Sequence, residues 1–569
     1  MFEELNHRLA RLLDPALNLY MVAKVLGAFL TLFSFLMIVP PIVQLLMGGG
    51  VVGEQGDNAF KGFGLAAAIG GLTGALLFRI GKNSKAEFFR REGLLAVALV
   101  WFLSGFLGGL PFYFTGVVGS VWDGVFESIS GMTTTGSSIM GAGENWAIGD
   151  LPFSITLWRA LLHWIGGIGI VVMFLVFLPA LGITEKKLFQ AEVAGVSKEG
   201  VKPRIRESAS ALVRIYLYIT IFLILGYWIL GMGVFDAICH SFATIATGGF
   251  STKNGSVGEF HNFWIELLAI FGMFLAAANF GLYHRVENLF KKAAKGGIIP
   301  KIADLPRPKD IWLIFWKNPE WRLYFLLTIG SSLVIGFVIW IEGGATVPSA
   351  GFDRAHEYGS LGESLRDSSF QTASLVSSTG FANSNLLGWP LLAQFLLAVL
   401  MFGGGCSGST GGGLKLVRVL VLFKYVGYVL RRFIRPRSVE PMQIRGTKID
   451  TGMLEAIFAL FILWVLVLVF GTVALLILEP QVDLTTGFSS VLTCLSNMGP
   501  GLTQLMPGSL DAANPLGTPA NALAMDCSSY GSFGLYSGTT KTMLAFIMIL
   551  GRLEIYTPLI VFLPSFWKD

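Results

Sequence analysis

From Ala456 to Leu478 the chain carries no charged residue. At about 1.5 Å of rise per residue, such a run wound as a helix crosses a hydrocarbon core of about 30 Å. Runs of this kind recur and predict ten spans, near residues 19–47, 59–80, 93–115, 153–181, 208–232, 262–286, 320–342, 388–430 (broken), 452–478 and 540–566. With 53% of its 569 residues hydrophobic, 14% charged and a mean hydropathy of +0.67, the chain is excluded from the ordinary water-soluble proteins. The fold class that follows is an all-α membrane protein of about ten transmembrane helices. The first run is too long for a signal-peptide core and lacks a small-residue cleavage site. The N-terminus is therefore expected to be retained, with residues 1–14 as a short amphipathic lead-in.

A net charge of +5 suggests a nucleic-acid binder only until the charges are placed along the chain. Of the 41 Lys and Arg residues, 30 fall in four connecting regions, 79–92, 183–214, 284–322 and 415–448. By the positive-inside rule these regions are cytoplasmic, which also puts both termini inside and removes the case for nucleic acid. The opposite loops hold few basic residues, chiefly Lys61, Lys253, Arg354, Arg366 and Lys541. They hold many acids: Asp123, Glu127, Glu144, Asp150, Asp236, Glu259, Asp353, Glu363, Asp483, Asp511 and Asp526. Such a mouth concentrates cations, unless the outer loops merely avoid positive charge for insertion. Cys239, Cys406, Cys494 and Cys527 show no Cys-x-x-Cys spacing, so neither a zinc site nor a disulfide framework is expected.

Four outer segments share one pattern between two spans, each an apolar stretch of about half a span ending in Thr-Gly or a looser variant. They run from Asp123 to Ser137, Asp236 to Phe250, Asp367 to Phe381 and Phe488 to Gly501. Too short to cross and too apolar for plain loops, they read as re-entrant half-helices followed by extended backbone. Irregular backbone at membrane depth is tolerated only where protein or water satisfies its polar groups, as four segments around one axis would do. Inward carbonyls then replace the hydration shell of a monovalent cation, and half-helix C-termini add negative potential. The candidate filter residues are Thr134, Thr135 and Gly136; Thr247 and Gly248; Thr379 and Gly380; and Asn497, Met498 and Gly499. A single Thr-Gly read alone is a helix C-cap; four in register point to a filter. Segments one and three carry a single glycine and segment four a Gly-x-Gly, which predicts fewer stacked ion sites than a filter with paired glycines. The implied units are an extension over 1–92 and four helix, pore-loop, helix units over 93–182, 183–290, 291–435 and 436–569.

Two anomalies interrupt spans. Gly403, Gly404, Gly405, Cys406, Ser407, Gly408, Ser409, Thr410, Gly411, Gly412 and Gly413 break one helix, and each glycine costs about 1 kcal/mol against alanine there, so the break serves something other than helix stability. Gly403, Gly405 and Gly408 match G-x-G-x-x-G, but no Gly-Lys-Ser/Thr and no strand accompany them, so a phosphate loop is rejected. A movable constriction is the favoured reading, with a static kink as the alternative. Arg552 interrupts the last span. Counted from Thr540 it lies roughly 18 Å deep, near the level of the glycine break, roughly 21 Å from Trp389. It is a gate candidate, the alternative being a structural pair with Glu554. Arg159 and His163 are expected to snorkel or to pack helices.

These motifs together resemble the TrkH/KtrB/HKT superfamily of K⁺ transporters, and most of all its bacterial Trk-type translocation subunits. The likeness rests on the four filter segments, on Trp158-Arg159 with 163–170, on 404–415 and on 551–555. It implies K⁺ uptake across the bacterial cytoplasmic membrane, with K⁺ as the transported ion, no enzymatic activity and no bound cofactor. Filter glycines at Gly136, Gly248, Gly380 and Gly499, an intramembrane gating loop at 403–413 and Arg552 below the filter are implied with it. So are a homodimer and a cytosolic regulatory ring that binds nucleotides. Relatives that favour Na⁺ tend to have serine at the first filter glycine, so Gly136 argues for K⁺. A channel-like subunit of an ATP-driven K⁺ pump and a less selective K⁺/Na⁺ transporter remain the alternatives. The outer stretch 507–538 looks longer than the family pattern.

Overall fold

The computed structural model describes residues 17–47, 54–84, 90–141, 145–181, 201–293, 305–343, 358–384, 386, 389–435, 443–444, 447–448, 451–499 and 533–567. The lead-in at 1–14, Cys527, Pro500, Gly501, most of the outer stretch 507–538 and the acids Glu144, Asp353, Asp511 and Asp526 lie outside the described residues. Among the described residues the regular structure is helical apart from one two-residue ladder, β1 (Gln443–Ile444) with β2 (Thr447–Lys448). It opens with α1 (Leu19–Leu36), α2 (Val39–Leu46) and α3 (Glu54–Gly81). Pro40 and Pro41 sit at the start of α2, where a missing N–H is harmless, and they explain the interruption of the first apolar run at Met37–Ile38.

Four times thereafter a long helix is followed by a short one and then by a third. The first set is α4 (Arg90–Phe114), α5 (Val121–Met132) and α6 (Phe153–Leu181). The second is α7 (Val201–Ile229), α8 (Val234–Ile245), then α9 (Phe263–Ala276) and α10 (Phe280–Ala293). After α11 (Pro308–Trp316) comes the third, α12 (Pro319–Glu342), α13 (Leu361–Val376), then α14 (Leu391–Leu400) and α15 (Leu416–Ile434). The fourth is α16 (Thr451–Leu478), α17 (Leu484–Ser496) and α18 (Gly538–Arg552), followed by α19 (Tyr556–Val561) and α20 (Pro564–Trp567).

The short helices α5, α8, α13 and α17 are the interior of the molecule, with Phe126, Ala243, Phe370 and Leu492 fully buried. Leu326, Ile329, Leu333 and Phe337 on α12, like Ile462, Phe470 and Ile477 on α16, are exposed, an apolar exterior that fits lipid. Among the described residues seven helices are long and apolar enough to cross a membrane, and the pair α9–α10 passes the same test as one bent span. The sequence predicts one span near 262–286, and within it the chain turns by 93° at residues 277–279. The cause is tertiary. The glycine-rich segment hydrogen-bonds into the gap, as described below, and Asn279 caps the new helix by accepting from the Gly281 N–H at 2.7 Å.

Where helices carry the short elements, small residues set the spacing. A Cβ on Gly109 of α4 would lie 2.7 Å from the Gly124 carbonyl carbon and the Val125 nitrogen of α5, whereas one on Gly64 meets nothing within 4 Å. Gly109→Ala is therefore expected to push α5 outward and destabilise the protein by about 1–3 kcal/mol. Gly64→Ala is expected to leave stability unchanged, as thermal melting of the two purified variants in detergent will show.

Candidate functional site

The chain leaves the four short helices in one way. Thr134, Thr247, Ser378 and Asn497 adopt left-handed φ values of 51°, 53°, 59° and 50°. Their N–H groups donate three residues back, to Gly131, Thr244, Leu375 and Cys494. The next N–H, of Thr135, Gly248, Thr379 and Met498, reaches five residues back, to Ser130, Ala243, Ser374 and Thr493, at 2.9, 2.9, 2.8 and 3.1 Å. Two residues past each of the first three turn positions stands a glycine with φ of 83° to 84°: Gly136, Gly249 and Gly380. The turn register thus aligns Gly249, and not Gly248, with Gly136 and Gly380. The sequence reading matched Thr-Gly to Thr-Gly. In the second segment, however, the threonine is itself the left-handed residue, one place earlier than Thr135, and the Gly248-Gly249 doublet was the signal for this. Ser378, absent from the sequence-based set, occupies the same turn position.

These segments abut. A Cβ on Gly136 would overlap the Gly248 carbonyl oxygen, one on Gly249 would overlap that of Thr379, and one on Gly499 would lie 3.1 Å from the Gly136 carbonyl. Asn497 donates from Nδ2 to Thr135 Oγ1 at 3.0 Å and to the Met548 carbonyl at 2.9 Å. The Thr135 hydroxyl also meets Thr133 Oγ1, and Thr379 Oγ1 meets Ser377 Oγ, both at 2.7 Å, so these side chains brace their own turns. Thr134 Oγ1 and Asn497 Oδ1 are buried without a hydrogen-bond partner among the described residues. Each of the four short helices ends at its turn, and a helix C-terminus carries partial negative charge.

Behind the segments lie buried ion pairs. Arg159, on α6 and 1% exposed, donates from Nε to Glu127 Oε1 of α5 at 2.8 Å, from Nη1 to the Ser251 carbonyl and from Nη2 to Ser138 Oγ, and stacks over Phe250 at 4.1 Å. Glu127 in turn accepts from the Ile139 N–H at 2.9 Å. Arg159 therefore does not snorkel; it locks the first segment to the second. His163 joins them again. Its Nδ1 donates to the Gly131 carbonyl at 2.8 Å and its Nε2 accepts the Phe250 N–H at 3.2 Å, the pattern of a neutral imidazole. Arg366 forks onto Glu266 with two bonds of 2.7 Å, and Asn383 links Glu266 to Asp367. Lys541 pairs with Asp123. Several outer acids are thus scaffold; Asp150 and Glu363 remain at the surface.

The glycine-rich segment 403–413 lies directly under this assembly. Gly412 N–H donates to Ser378 Oγ at 2.6 Å, and a Cβ on Gly412 would lie 2.8 Å from that of Asn497. Its other face fills the α9–α10 bend. Cys406 N–H donates to the Ala277 carbonyl at 2.8 Å, Phe280 N–H to the Gly408 carbonyl at 3.1 Å, and Thr410 Oγ1 to the Ala276 carbonyl at 3.0 Å. Arg552 reaches the same segment: Nη1 donates to the Thr410 carbonyl at 2.8 Å and Nη2 to that of Gly166 at 3.4 Å. Glu554, the alternative partner, pairs with Arg418 at 2.7 Å instead. Lys415 donates back to the Gly411 carbonyl. Among the described residues Cys239, Cys406 and Cys494 are free thiols.

The TrkH family model, that of a cation transport protein, matches residues 57–514. The Trk system potassium uptake protein TrkH of Escherichia coli K12 is 32% identical over 550 residues, covering 96% of this chain and 99% of that protein. The protein of the same name from Vibrio parahaemolyticus is 33% identical with the same coverage, and the E. coli K12 protein TrkG is 29% identical over 551 residues. The crystal structure of the potassium transporter TrkH from V. parahaemolyticus superimposes with a TM-score of 0.76 at 31% identity, covering 97% of this chain and 100% of that one. Matched along nearly its whole length in both sequence and fold, this chain belongs to the TrkH family of cation transport proteins.

Proposed function

We propose that the chain takes up K⁺ across the cytoplasmic membrane through a filter formed by its four re-entrant segments, gated by 403–413 together with Arg552. The observation that carries this reading is the identical left-handed turn at Thr134, Thr247, Ser378 and Asn497, followed by backbones packed too closely for any side chain at Gly136 or Gly249. Close-packed backbone with side chains turned away leaves carbonyls as ligands, and carbonyls suit a monovalent cation that has shed its water. The potassium uptake ascribed to the relatives agrees with it. The chain works as a transporter and not as an enzyme, with K⁺ as cargo. Both termini face the cytoplasm, two copies pair in the bilayer and a cytosolic nucleotide-binding ring regulates them. Rb⁺ tracer uptake into proteoliposomes, with K⁺, Na⁺ and Li⁺ as competitors, tests the core of this reading; absence of K⁺-competed uptake overturns it.

Serine at Gly136 must displace the Gly248 carbonyl and opposes a positive φ. Gly136→Ser is expected to lower K⁺ over Na⁺ discrimination about tenfold, or ~1.4 kcal/mol in relative ion binding. The register makes Gly249→Ser its equivalent, so the two variants should show the same Na⁺ competition in the Rb⁺ assay.

Arg552 places a fixed charge beneath the filter and ties Thr410 in place. Arg552→Ala is expected to raise the initial uptake rate with selectivity unchanged, and Arg552→Lys, which keeps charge without the planar fork, to fall between. Equal rates in all three proteins would remove Arg552 from the gate.

A further inference from the structure

The loop is held at a point that the filter and Arg552 do not touch. Glu320, in the first turn of α12 and 2% exposed, accepts the Ser407 N–H on Oε1 at 2.6 Å and the Ser407 hydroxyl on Oε2 at 2.9 Å. The carboxylate stands 87 positions from Ser407 in the chain, so this is a tertiary clamp and not a local turn. Both carboxylate oxygens are engaged, and bonds to an ionised acceptor are about twice as strong as neutral ones.

The position of Glu320 is itself fixed. Asn318 Oδ1 accepts the N–H of Glu320 at 3.0 Å and of Trp321 at 3.1 Å. Trp321 stacks on Phe325 with ring centroids 5.2 Å apart and meets the edge of Trp312, on α11, at 5.6 Å. The α11–α12 elbow lies in the basic connecting region 284–322. A rotation of that elbow therefore moves the carboxylate and, with it, residue 407.

We propose that Glu320 is a positioning residue for the gate: its carboxylate clamps Ser407 and keeps the glycine-rich loop seated in the α9–α10 bend, so that opening requires the clamp to let go. The proposal rests on the reading of 403–413 as the gate. Cys406, buried beside the clamp, reports the seating of the loop independently of ion flux.

The test uses the full chain in proteoliposomes, with Cys406 as the sole thiol in a transport-competent Cys239→Ala, Cys494→Ala, Cys527→Ala background. Alkylation of Cys406 by N-ethylmaleimide and Rb⁺ uptake are measured in parallel. Glu320→Gln, which loses the charge and one acceptor, is expected to speed both roughly tenfold, with K⁺ over Na⁺ discrimination unchanged. Ser407→Ala removes the hydroxyl bond alone, keeps the backbone one, and is expected to give a smaller rise in both. It carries the test if Glu320→Gln fails to fold. Parental alkylation rates in the folded variants overturn the clamp. Faster alkylation without faster uptake upholds the clamp and overturns the gate reading on which it rests.

Discussion

Backbone that leaves the helix inside a membrane must find its hydrogen bonds within the protein, and the rest of this structure follows from how that requirement is met. Each re-entrant segment meets part of it locally, by donating from two successive N–H groups back into its own half-helix. The glycine-rich break meets only part of it locally, through the Ser409 N–H on the Cys406 carbonyl and the Gly411 N–H on Ser409 Oγ. Its Cys406 and Gly408 bond to Ala277 and Phe280, on either side of the break in a different span, so the two interruptions satisfy each other. Neither helix needs to be broken for its own sake; the bend at 277–279 and the loop at 403–413 exist as a pair.

The same requirement governs charge. Ions taken out of water are costly unless paired, and removing one partner from a buried pair costs about 3–5 kcal/mol. Glu127 with Arg159 and Asp123 with Lys541 are such pairs, and Glu266 with Arg366 and Glu554 with Arg418, each with one partner partly exposed, likewise join different elements. Three of them brace the short helices α5 and α13 against their neighbours. Arg552 is treated differently. It meets the carbonyls of Thr410 and Gly166, while its Nε stays without a partner. Charge held by dipoles is more easily released than charge held by a carboxylate, which fits the gate role proposed for Arg552.

Much of the fold was legible in the sequence, because a bilayer turns hydropathy into geometry. Runs such as Ala456 to Leu478 specified spanning helices, charge sorting gave them an expected direction, and the apolar half-spans ending at Thr135, Thr247, Thr379 and Asn497 coincide with short helices that end in left-handed turns. The distinction between Gly248 and Gly249 was not legible. It depends on which residue adopts the left-handed turn, and threonine can stand at that position or one place after it. Nor was the part played by Arg159 legible, since a lone arginine in an apolar run has the same appearance whether it snorkels or finds Glu127, and Glu127 lies in another helix.

The sequence by itself determined that this chain crosses a membrane many times, where its backbone turns back, and where its helices are broken by glycine and by a buried arginine. These are properties of a residue in its local run, read against a solvent that allows few structures. The tertiary structure decided how the segments abut, the 93° bend of an otherwise unmarked span and which residues form the buried ion pairs. Those depend on contacts between residues tens to hundreds of positions apart. Ala277 and Glu320 carry no local mark of the loop they hold, because the hydrogen bonds that give them a role come into being only when the spans pack.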